Sequence, residues 1–247
     1  MNDDDLLTLL HQAADAVYAA VGDLDDWGLA NTRPGQYKCD LAADDAVLGV
    51  LAPAPVGILS EESGLTNADR DVVVVVDPID GSTNAAAGLP WFATSLCAVD
   101  RDGPRAAVVV NQAVGTRFAA VRGAGATMDG RPMKPPTKTL LSDAFVALSG
   151  LPPRHLGWRQ YRALGASALD ICAVAAGTLD AFIDCTARPA HGPWDYLGAM
   201  LVCQEVGAPV VDRYGDDLVV LEHAARRTPI AAATSELLEQ CIKSLNN

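Results

Sequence analysis

The residues with the clearest chemical potential lie together in one segment, Asp77-Pro78-Ile79-Asp80-Gly81-Ser82-Thr83-Asn84. A run of valines precedes Asp77 and predicts a buried strand that delivers this carboxylate at its end. Pro78 fixes the turn, Asp80 follows, and Gly81 allows the backbone to approach a ligand closely. Carboxylates this close repel each other unless a cation or several hydrogen-bond donors compensate them. Oxygen ligands without a nearby Cys or His indicate Mg²⁺ or Mn²⁺.

The residues after the two carboxylates could hold a phosphate group. Ser82 and Thr83, followed by 84–88, predict a helix start and a short helical turn that stops at Gly88. The unpaired amides and the positive end of the helix dipole would face the space beside the acids. The other interpretation is an ordinary turn in which the acids cap backbone amides. This segment alone leaves both open.

Three ordered motifs resemble the inositol monophosphatase family of metal-dependent, lithium-sensitive phosphatases. The segment 77–84 matches that family's D-P-[IL]-D-G-[ST]-[TS]-N motif. Upstream, Ser60-Glu61-Glu62-Ser63 resembles its G-E-E-S, and downstream 194–199 resembles its W-D-x-A-[GA]. The segments 88–95, 122–126 and 129–130 also fit in order, so the resemblance covers nearly the whole chain. Ser60 in place of Gly, and Ser82 where Thr is common, are departures from the pattern.

The resemblance implies two or three Mg²⁺ ions at one site and assigns residues to it. The metal ligands would be Glu61, Asp77, the carbonyl of Ile79, Asp80 and Asp195. The residues placed at the attacking water would be Ser82, Glu61 and Asp44. The substrate-binding residues would be Gly81, Ser82 and Thr83 at the phosphate, with Gly165, Ser167 and Asp184 on the leaving-group side. The loop 185–192 is longer than the resemblance leads us to expect, so the leaving group stays open.

The implied reaction is hydrolysis of a small phosphate monoester, first of all inositol monophosphate, by a metal-activated water. Histidinol phosphate, fructose 1,6-bisphosphate and 3′-phosphoadenosine 5′-phosphate stay open as substrates, because the same metal core serves them. A non-catalytic protein that keeps the fold and regulates a partner is the alternative from another class. The intact set of mutually repelling acids argues against that alternative. The resemblance alone also implies a homodimer.

Hydrophobic periodicity predicts the elements that must position these residues. Helices are expected over 4–20 and 41–51, the second of which carries Asp44. Strands are expected over 72–76, 91–99, 106–111 and 116–121, and the short turns between them favour antiparallel pairing. After residue 140 strands and helices alternate, with strands over 144–148, 179–184, 210–211 and 229–233 and helices over 167–176, 194–206 and 235–245.

Together with the resemblance, these elements predict an α+β or α/β fold built as a layered αβαβα sandwich. An antiparallel N-terminal sheet layer would be followed by a mixed α/β C-terminal layer. We divide the chain into 1–140, which carries most metal ligands, and 141–247, which carries Asp195 and the substrate-side residues.

Charge and composition limit the classes of partner. The chain has 18 basic and 31 acidic residues and a net charge of −13, which makes nucleic acid a poor ligand. Bound divalent cations would still allow an anionic substrate. The acidic N-terminus and the lack of a long apolar stretch predict a cytoplasmic protein without a membrane span. The six cysteines form no C-x-x-C pair, which is typical of reduced core residues.

Overall fold

The chain folds into alternating layers of helix and sheet, in a computed structural model that describes residues 1–246. The helices are α1 Asp3–Gly22, α2 Lys38–Leu51, α3 Ser82–Ala87, α4 Ser167–Ala175, α5 Leu197–Glu205 and α6 Ser235–Asn246. The first sheet contains β1 Gly57–Ser60, β2 Gly64–Thr66, β3 Val73–Asp80, β4 Ala93–Asp100, β5 Gly103–Asn111, β6 Arg117–Val121, β7 Gly125–Met128 and β8 Arg131–Pro132. The second contains β9 Phe145–Ser149, β10 Gln160–Arg162, β11 Ala181–Asp184, β12 Val210–Asp212 and β13 Pro229–Ala232.

Alternation along the valine strand β3 shows how the layers are assembled. Val74 and Val76 pack into the core that the first sheet shares with α1 and α2. Val73 and Val75 point to the opposite face, where α4 and α5 fill the space between the two sheets. The helix α6 covers the far face of the second sheet. The predicted αβαβα sandwich is therefore confirmed.

Strand pairing follows the prediction with one correction. The first sheet has the order β2-β1-β3-β4-β5-β6-β7-β8, and its pairs are antiparallel except for β1 and β3, which run parallel. The short strand β2 runs antiparallel to β1, and the next strand, β3, then runs in the same direction as β1. The second sheet has the order β10-β9-β11-β13-β12. It is a mixed sheet, because β9 pairs in parallel with β10 and β11, whereas β13 pairs antiparallel with β11 and β12.

The strand β3 continues past the predicted end at Val76 and carries both carboxylates. Its parallel neighbour β1 stops opposite Val76, so the last four residues of β3 pair with β4 alone. A proline lacks an amide donor and is tolerated on such an edge or in a bulge. Pro78 and Ile79 together oppose Thr94, which makes a bulge between Asp77 and Asp80. The bulge places the Ile79 carbonyl at the point where the regular hydrogen bonding between β3 and β4 is interrupted.

The helix predicted over 194–206 begins later than expected. Pro193, Trp194 and Asp195 form a separate 3₁₀ turn, and α5 starts at Leu197. Tyr196 separates them, because its φ of −138° lies outside the helical range. Asp195 is thus a residue of this turn and not a first-turn acid of α5.

Other expectations from composition have mixed outcomes. All six cysteines are buried and unpaired, which confirms the prediction of core residues. None of the helices in residues 1–246 combines the length and hydropathy that crossing a bilayer requires. The strands β1, β2, β7, β8 and β10 were not predicted, since they are short or exposed. The division of the chain at residue 140 stays a prediction.

Candidate active site

Three carboxylates from distant parts of the chain converge at the free edge of β3. One carboxylate oxygen from each of Glu61, Asp77 and Asp195 lies within 4.8 Å of the other two. Glu61 follows β1 directly and is held by its amide, which donates to the carbonyl of Val76 at 3.1 Å. Asp77 is 2% exposed, and Asp195 comes from the 3₁₀ turn. The structure therefore brings together three of the predicted metal ligands.

Asp80 stands beside this cluster and is held from the second half of the chain. Its carboxylate accepts a hydrogen bond of 2.7 Å from the amide of Ala168, at the start of α4. The Oδ1 atom of Asp77, by contrast, is buried and has no hydrogen-bond partner. A buried carboxylate oxygen without a donor is costly, and a cation satisfies it. Among residues 1–246, no Lys or Arg forms an ion pair with Glu61, Asp77 or Asp80. This all-oxygen donor set fits a hard divalent cation.

The pKa values of the clustered acids also favour a bound divalent cation. Burial, followed by the charge of Asp195, raises the pKa of Glu61 to about 8. Burial and the charge of Glu61 raise the pKa of Asp77 well above its usual range, and burial and Asp195 do so for Asp80. Without a cation, Glu61 retains its proton at neutral pH, and Asp77 and Asp80 hold theirs to a higher pH than isolated carboxyl groups do. A bound divalent cation would displace those protons.

This protonation predicts how stability depends on pH in chelator. Because the pKa of Glu61 rises from 4.5 to about 8 on folding, the native state binds more protons between those values. The contribution of Glu61 to the free energy of unfolding should therefore fall as pH increases from about 4.5 to about 8. Urea unfolding in chelator at pH 5, 6.5 and 8 gives the free energy of unfolding of the parent and of Glu61→Gln, and the difference between the two measures this contribution. If the parent gains stability relative to Glu61→Gln as pH rises, the pKa of Glu61 is not raised in the folded state.

The turn after Asp80 is shaped by close packing against the second half of the chain. Gly81 has a φ of +89°, and a Cβ there would lie 3.1 Å from the carbonyl oxygen of Gly165. The side-chain amide of Asn84 donates to the carbonyls of Trp91 and Leu164, each at 2.7 Å. The predicted short helix is present as α3 and ends at Gly88 as expected, but Gly81, and not Ser82 or Thr83, is its N-cap residue. Asn84 therefore fixes the position of this turn.

Asp195 is held by contacts from its own loop and from β4. The amide of Gly192 donates to its carboxylate at 2.8 Å, and Nδ1 of His191 lies 3.2 Å from the same oxygen. The hydroxyl of Ser95 donates to the carbonyl of Trp194 at 3.0 Å. The loop 185–192, which the sequence left without a role, thus ends in a support for Asp195.

The two acids of α2 have different surroundings from those the sequence suggested. Asp44 accepts a hydrogen bond from the hydroxyl of Ser60 and does not line the open pocket at the cluster. Asp40, one helical turn earlier, lines that pocket together with Ser82. Burial raises the pKa of Asp40 to about 6, while the nearby Ser82 hydroxyl acts to lower it. The position beside Ser82 is thus occupied by Asp40, and the role of Asp44 at the water finds no support in its contacts.

Of the substrate contacts expected on the leaving-group side, Ser167 and Asp184 are buried and Gly165 is exposed. Gly165 packs against the side chain of Asn84, and Ser167 is buried with its hydroxyl 3.3 Å from Nδ1 of His191. Asp184 is 0% exposed, and its carboxylate lies 3.5 Å from Nε2 of His191. None of the three is among the residues that line the pocket. Their substrate contacts stay predictions.

The open pocket beside the acids has a volume of about 280 Å³. Residues to which the sequence assigned no role form much of its wall: Arg33, Gln36, Glu62, His223 and Arg226. Arg33 and Gln36 both donate to Glu62, which ties the loop before α2 to the site. No local sequence pattern could have placed 223–226 at this pocket, because this segment forms no helix or strand and lies far from Glu61 and Ser82 in the sequence.

Comparison with known proteins decides the family. Residues 39–247 match the model of the inositol monophosphatase family, which is most of the chain. The chain belongs to that family. The match contains Glu61, Asp77, Asp80 and Asp195, so the cluster at the edge of β3 is part of the region by which this inositol monophosphatase family member is recognised.

Relatives of this family member carry several names. The chain is 31% identical to a fructose-1,6-bisphosphatase of Pyrococcus furiosus, over 83% of this chain and 81% of the relative. It is 33% identical to the Nus factor SuhB of Escherichia coli, over 64% of this chain and 63% of that protein. A solved inositol monophosphatase-fructose 1,6 bisphosphatase superposes with a TM-score of 0.82 at 26% identity, covering 99% of this chain and 100% of that one. The fold of the family is thus confirmed over nearly all of the described residues.

Proposed function

We propose that this chain is a Mg²⁺-dependent phosphatase that hydrolyses a small phosphate monoester. The observation that carries the proposal is the convergence of Glu61, Asp77 and Asp195 within 4.8 Å, around a buried Asp77 oxygen that has no donor. These residues, with Asp80 and the carbonyl of Ile79, would hold two or three Mg²⁺ ions. When bound, the ions would polarise the phosphoryl oxygens, activate a water and neutralise the leaving alkoxide.

The residues of the chain contribute position and proton transfer. The first amides of a helix have no partner inside it, so those of Gly81, Ser82 and Thr83 are available to hold the phosphate. The Ser82 hydroxyl and the Asp40 carboxylate line the pocket together and would orient the attacking water. Direct attack by water requires no nucleophilic side chain, and none of the six buried cysteines lines the pocket. No covalent phosphoenzyme is needed.

Inositol monophosphate is the first candidate substrate, on the resemblance of the motifs. The relatives named fructose-1,6-bisphosphatase support a sugar bisphosphate as the second candidate. A panel of inositol 1-phosphate, fructose 1,6-bisphosphate, histidinol phosphate and 3′-phosphoadenosine 5′-phosphate with Mg²⁺ tests the proposal by release of inorganic phosphate. Hydrolysis of none of them, with Mg²⁺ binding demonstrated by calorimetry, would instead support a regulatory protein, an alternative that the name Nus factor of one relative keeps open.

The identity of the ion should matter strongly for activity. We expect Mg²⁺ or Mn²⁺ to support hydrolysis and Ca²⁺ to support it poorly, because the larger Ca²⁺ shell positions an in-line water badly. Steady-state rates on one ester with each chloride salt at equal concentration test this expectation. Lithium should inhibit in competition with an ion held by Asp80 and Asp195. Full turnover in excess chelator would refute the metal mechanism.

We also propose that the chain forms a homodimer, on the family resemblance. Multi-angle light scattering at micromolar concentration should therefore give twice the chain mass of 25.7 kDa. The measurement should be repeated in 0.5 M NaCl, because a net charge of −13 on each chain opposes association at low salt. A monomer mass under both conditions would contradict the proposal.

A further inference from the structure

The irregular segment 223–227, between β12 and β13, contacts both of the loops that bring acids to the cluster. Its first residue, His223, bonds to the backbone of Glu61. Its last residue, Arg227, exchanges two backbone hydrogen bonds of 2.8 and 3.2 Å with the loop that precedes Asp195. The sequence of the segment, His-Ala-Ala-Arg-Arg, contains no carboxylate. Any effect of this segment on the cluster must therefore pass through the acids that it contacts.

The backbone of Glu61 is held on both sides of its side chain. Its amide donates to the carbonyl of Val76 on β3 at 3.1 Å, and its carbonyl lies 3.0 Å from Nε2 of His223. A carbonyl oxygen can only accept, so Nε2 carries the proton of this hydrogen bond. Glu61 lies in the turn between β1 and β2. Without the bond from His223, this turn could pivot about the Val76 contact and displace the carboxylate.

The ring of His223 also packs against Trp194, the residue before Asp195. The two ring centres lie 5.0 Å apart, within the range of aromatic contacts. A Cβ at Gly192 would lie 2.4 Å from the Trp194 ring, so the indole rests directly on the backbone of this glycine. The amide of Gly192 donates to the carboxylate of Asp195 at 2.8 Å. The indole thus connects His223 with the peptide that supports Asp195.

Arg226 keeps His223 in place. Its Nη1 atom donates to the carbonyl of His223 at 2.9 Å, and its guanidinium lies 5.2 Å from the centre of the Trp194 ring. This distance is short enough for a cation–π contact, which ties the turn 223–226 to the buried indole. The imidazole is therefore fixed between the carbonyl of Glu61 and the ring of Trp194 by contacts within the chain alone.

From these contacts we infer that His223 is a positioning residue, which sets the affinity of the acid cluster for its cations by holding Glu61 and Asp195 at a fixed separation. The inference rests on the proposed function, because it requires that cations bind at the cluster. Carboxylates that repel one another move apart unless their backbones are restrained. Cation affinity is higher when the ligands are already in place. Contacts that orient metal ligands contribute about 10–100-fold in affinity.

Two variants separate the hydrogen bond of His223 from its ring contact. His223→Phe keeps a ring against Trp194 and removes the donor to Glu61. We expect its affinity for Mg²⁺, measured by calorimetry without substrate, to be about tenfold weaker than that of the parent. His223→Gln keeps an amide donor near the position of Nε2, so its affinity should be within about threefold of the parent. The melting temperature of each variant in chelator shows whether the fold itself is weakened.

His155→Phe is the matched control. His155 also packs against a tryptophan, since its ring lies 4.8 Å from that of Trp158. It is exposed and lies outside the pocket at the acids. The control makes the same chemical change beside an indole that does not adjoin a clustered acid. We expect the affinity of His155→Phe for Mg²⁺ to equal that of the parent.

The possible failures are distinguishable. If the parent binds no Mg²⁺, the proposed function fails and this inference fails with it. If the parent binds Mg²⁺ and His223→Phe binds it equally tightly, the function stands and the inference is overturned. A lower melting temperature of His223→Phe in chelator with unchanged affinity would show a purely structural role and would also overturn it.

A further variant keeps the inference testable if His223→Phe folds poorly. The side chain of His223→Asn is too short to reach the carbonyl of Glu61, whereas that of His223→Gln is long enough. The affinity for Mg²⁺ should therefore be higher in His223→Gln than in His223→Asn. Equal affinities in these two variants would overturn the role of the hydrogen bond.

Discussion

Replacing Asp77 by Asn should reduce phosphate-ester hydrolysis by about 10³-fold or more, because charge neutralisation and positioning provide most of the catalysis in phosphoryl transfer. The substitution nearly preserves the shape of the side chain and removes the negative charge. Asp77 is the most buried member of the cluster, and its Oδ1 atom has no donor. Both ions would therefore be weakened together. Single-turnover kinetics at saturating Mg²⁺ measures the loss.

The same variant distinguishes a catalytic role from a structural one by its stability. In chelator, Asp77→Asn should melt no lower than the parent, because burial and neighbouring acids make this carboxylate unfavourable without a cation. The rise in melting temperature that Mg²⁺ gives the parent should be lost. Asp71→Asn, at an exposed position in the same segment, serves as the control. A variant that keeps both activity and Mg²⁺-dependent stabilisation would refute the central assignment.

Replacing Asp40 by Asn should lower kcat by about 10²-fold while leaving the affinity for Mg²⁺ nearly unchanged. The reason is that Asp40 lines the pocket with Ser82 and is placed to accept a proton from the water, but is not among the clustered ligands. Steady-state kinetics gives kcat, and calorimetry gives the Mg²⁺ affinity. Loss of both would show instead that Asp40 supports the metal centre.

Asp44→Asn is the matched control for this second prediction. Asp44 lies on the same helix and is buried to a similar degree, at 6% exposed against 5% for Asp40. Its partner is the hydroxyl of Ser60, a contact that Asn can also accept. We expect Asp44→Asn to change kcat by less than about threefold and stability by about 1 kcal/mol. Asp44→Asn could instead show the large loss of kcat and Asp40→Asn the small one. In that case Asp44 acts at the attacking water, as the motif resemblance implies, and the assignment of Asp40 from the pocket geometry is wrong.

The metal centre was the part of the site that sequence could indicate best. Asp77 and Asp80 lie on one strand three residues apart, and Glu61 and Asp195 belong to motifs with fixed local spacing. Local chemistry pointed to Asp77 and Asp80, and the resemblance of the ordered motifs pointed to Glu61 and Asp195. The structure brings Glu61, Asp77 and Asp195 together, and their role as metal ligands stays a prediction. Asp40 and Asp44 lie on one helix, and both are buried, so no periodic pattern could distinguish which of them faces Ser82. That choice depends on how α2 is rotated against the sheet.

The fold was predictable where hydrophobic patterns are long and unpredictable where tertiary contacts determine the structure. The run of valines and the periodic apolar positions of α1 are strong local signals, and both elements were found where they were predicted, apart from the continuation of the strand past Val76. The edge strand β10 is exposed at all three residues and has no apolar signal. The continuation of β3 through Pro78 could not be foreseen, because it depends on the end of β1 opposite Val76 and on the bulge between Asp77 and Asp80. Arg226 was missed for the same reason, since only the folded chain brings it to the pocket.

The contacts that hold the acids in place join residues far apart in the chain. Asp80 is bound by Ala168, Asn84 by Leu164, and Ser95 by Trp194, with separations of 88, 80 and 99 residues. Contacts of such high sequence separation carry a large loop-closure cost and form late in folding. A cation held by both halves would therefore slow the opening of the finished molecule and would do little to accelerate its assembly. In kinetic terms, the proposed metal centre would form only after the two sheets have docked, and it would then act mainly on the rate of unfolding.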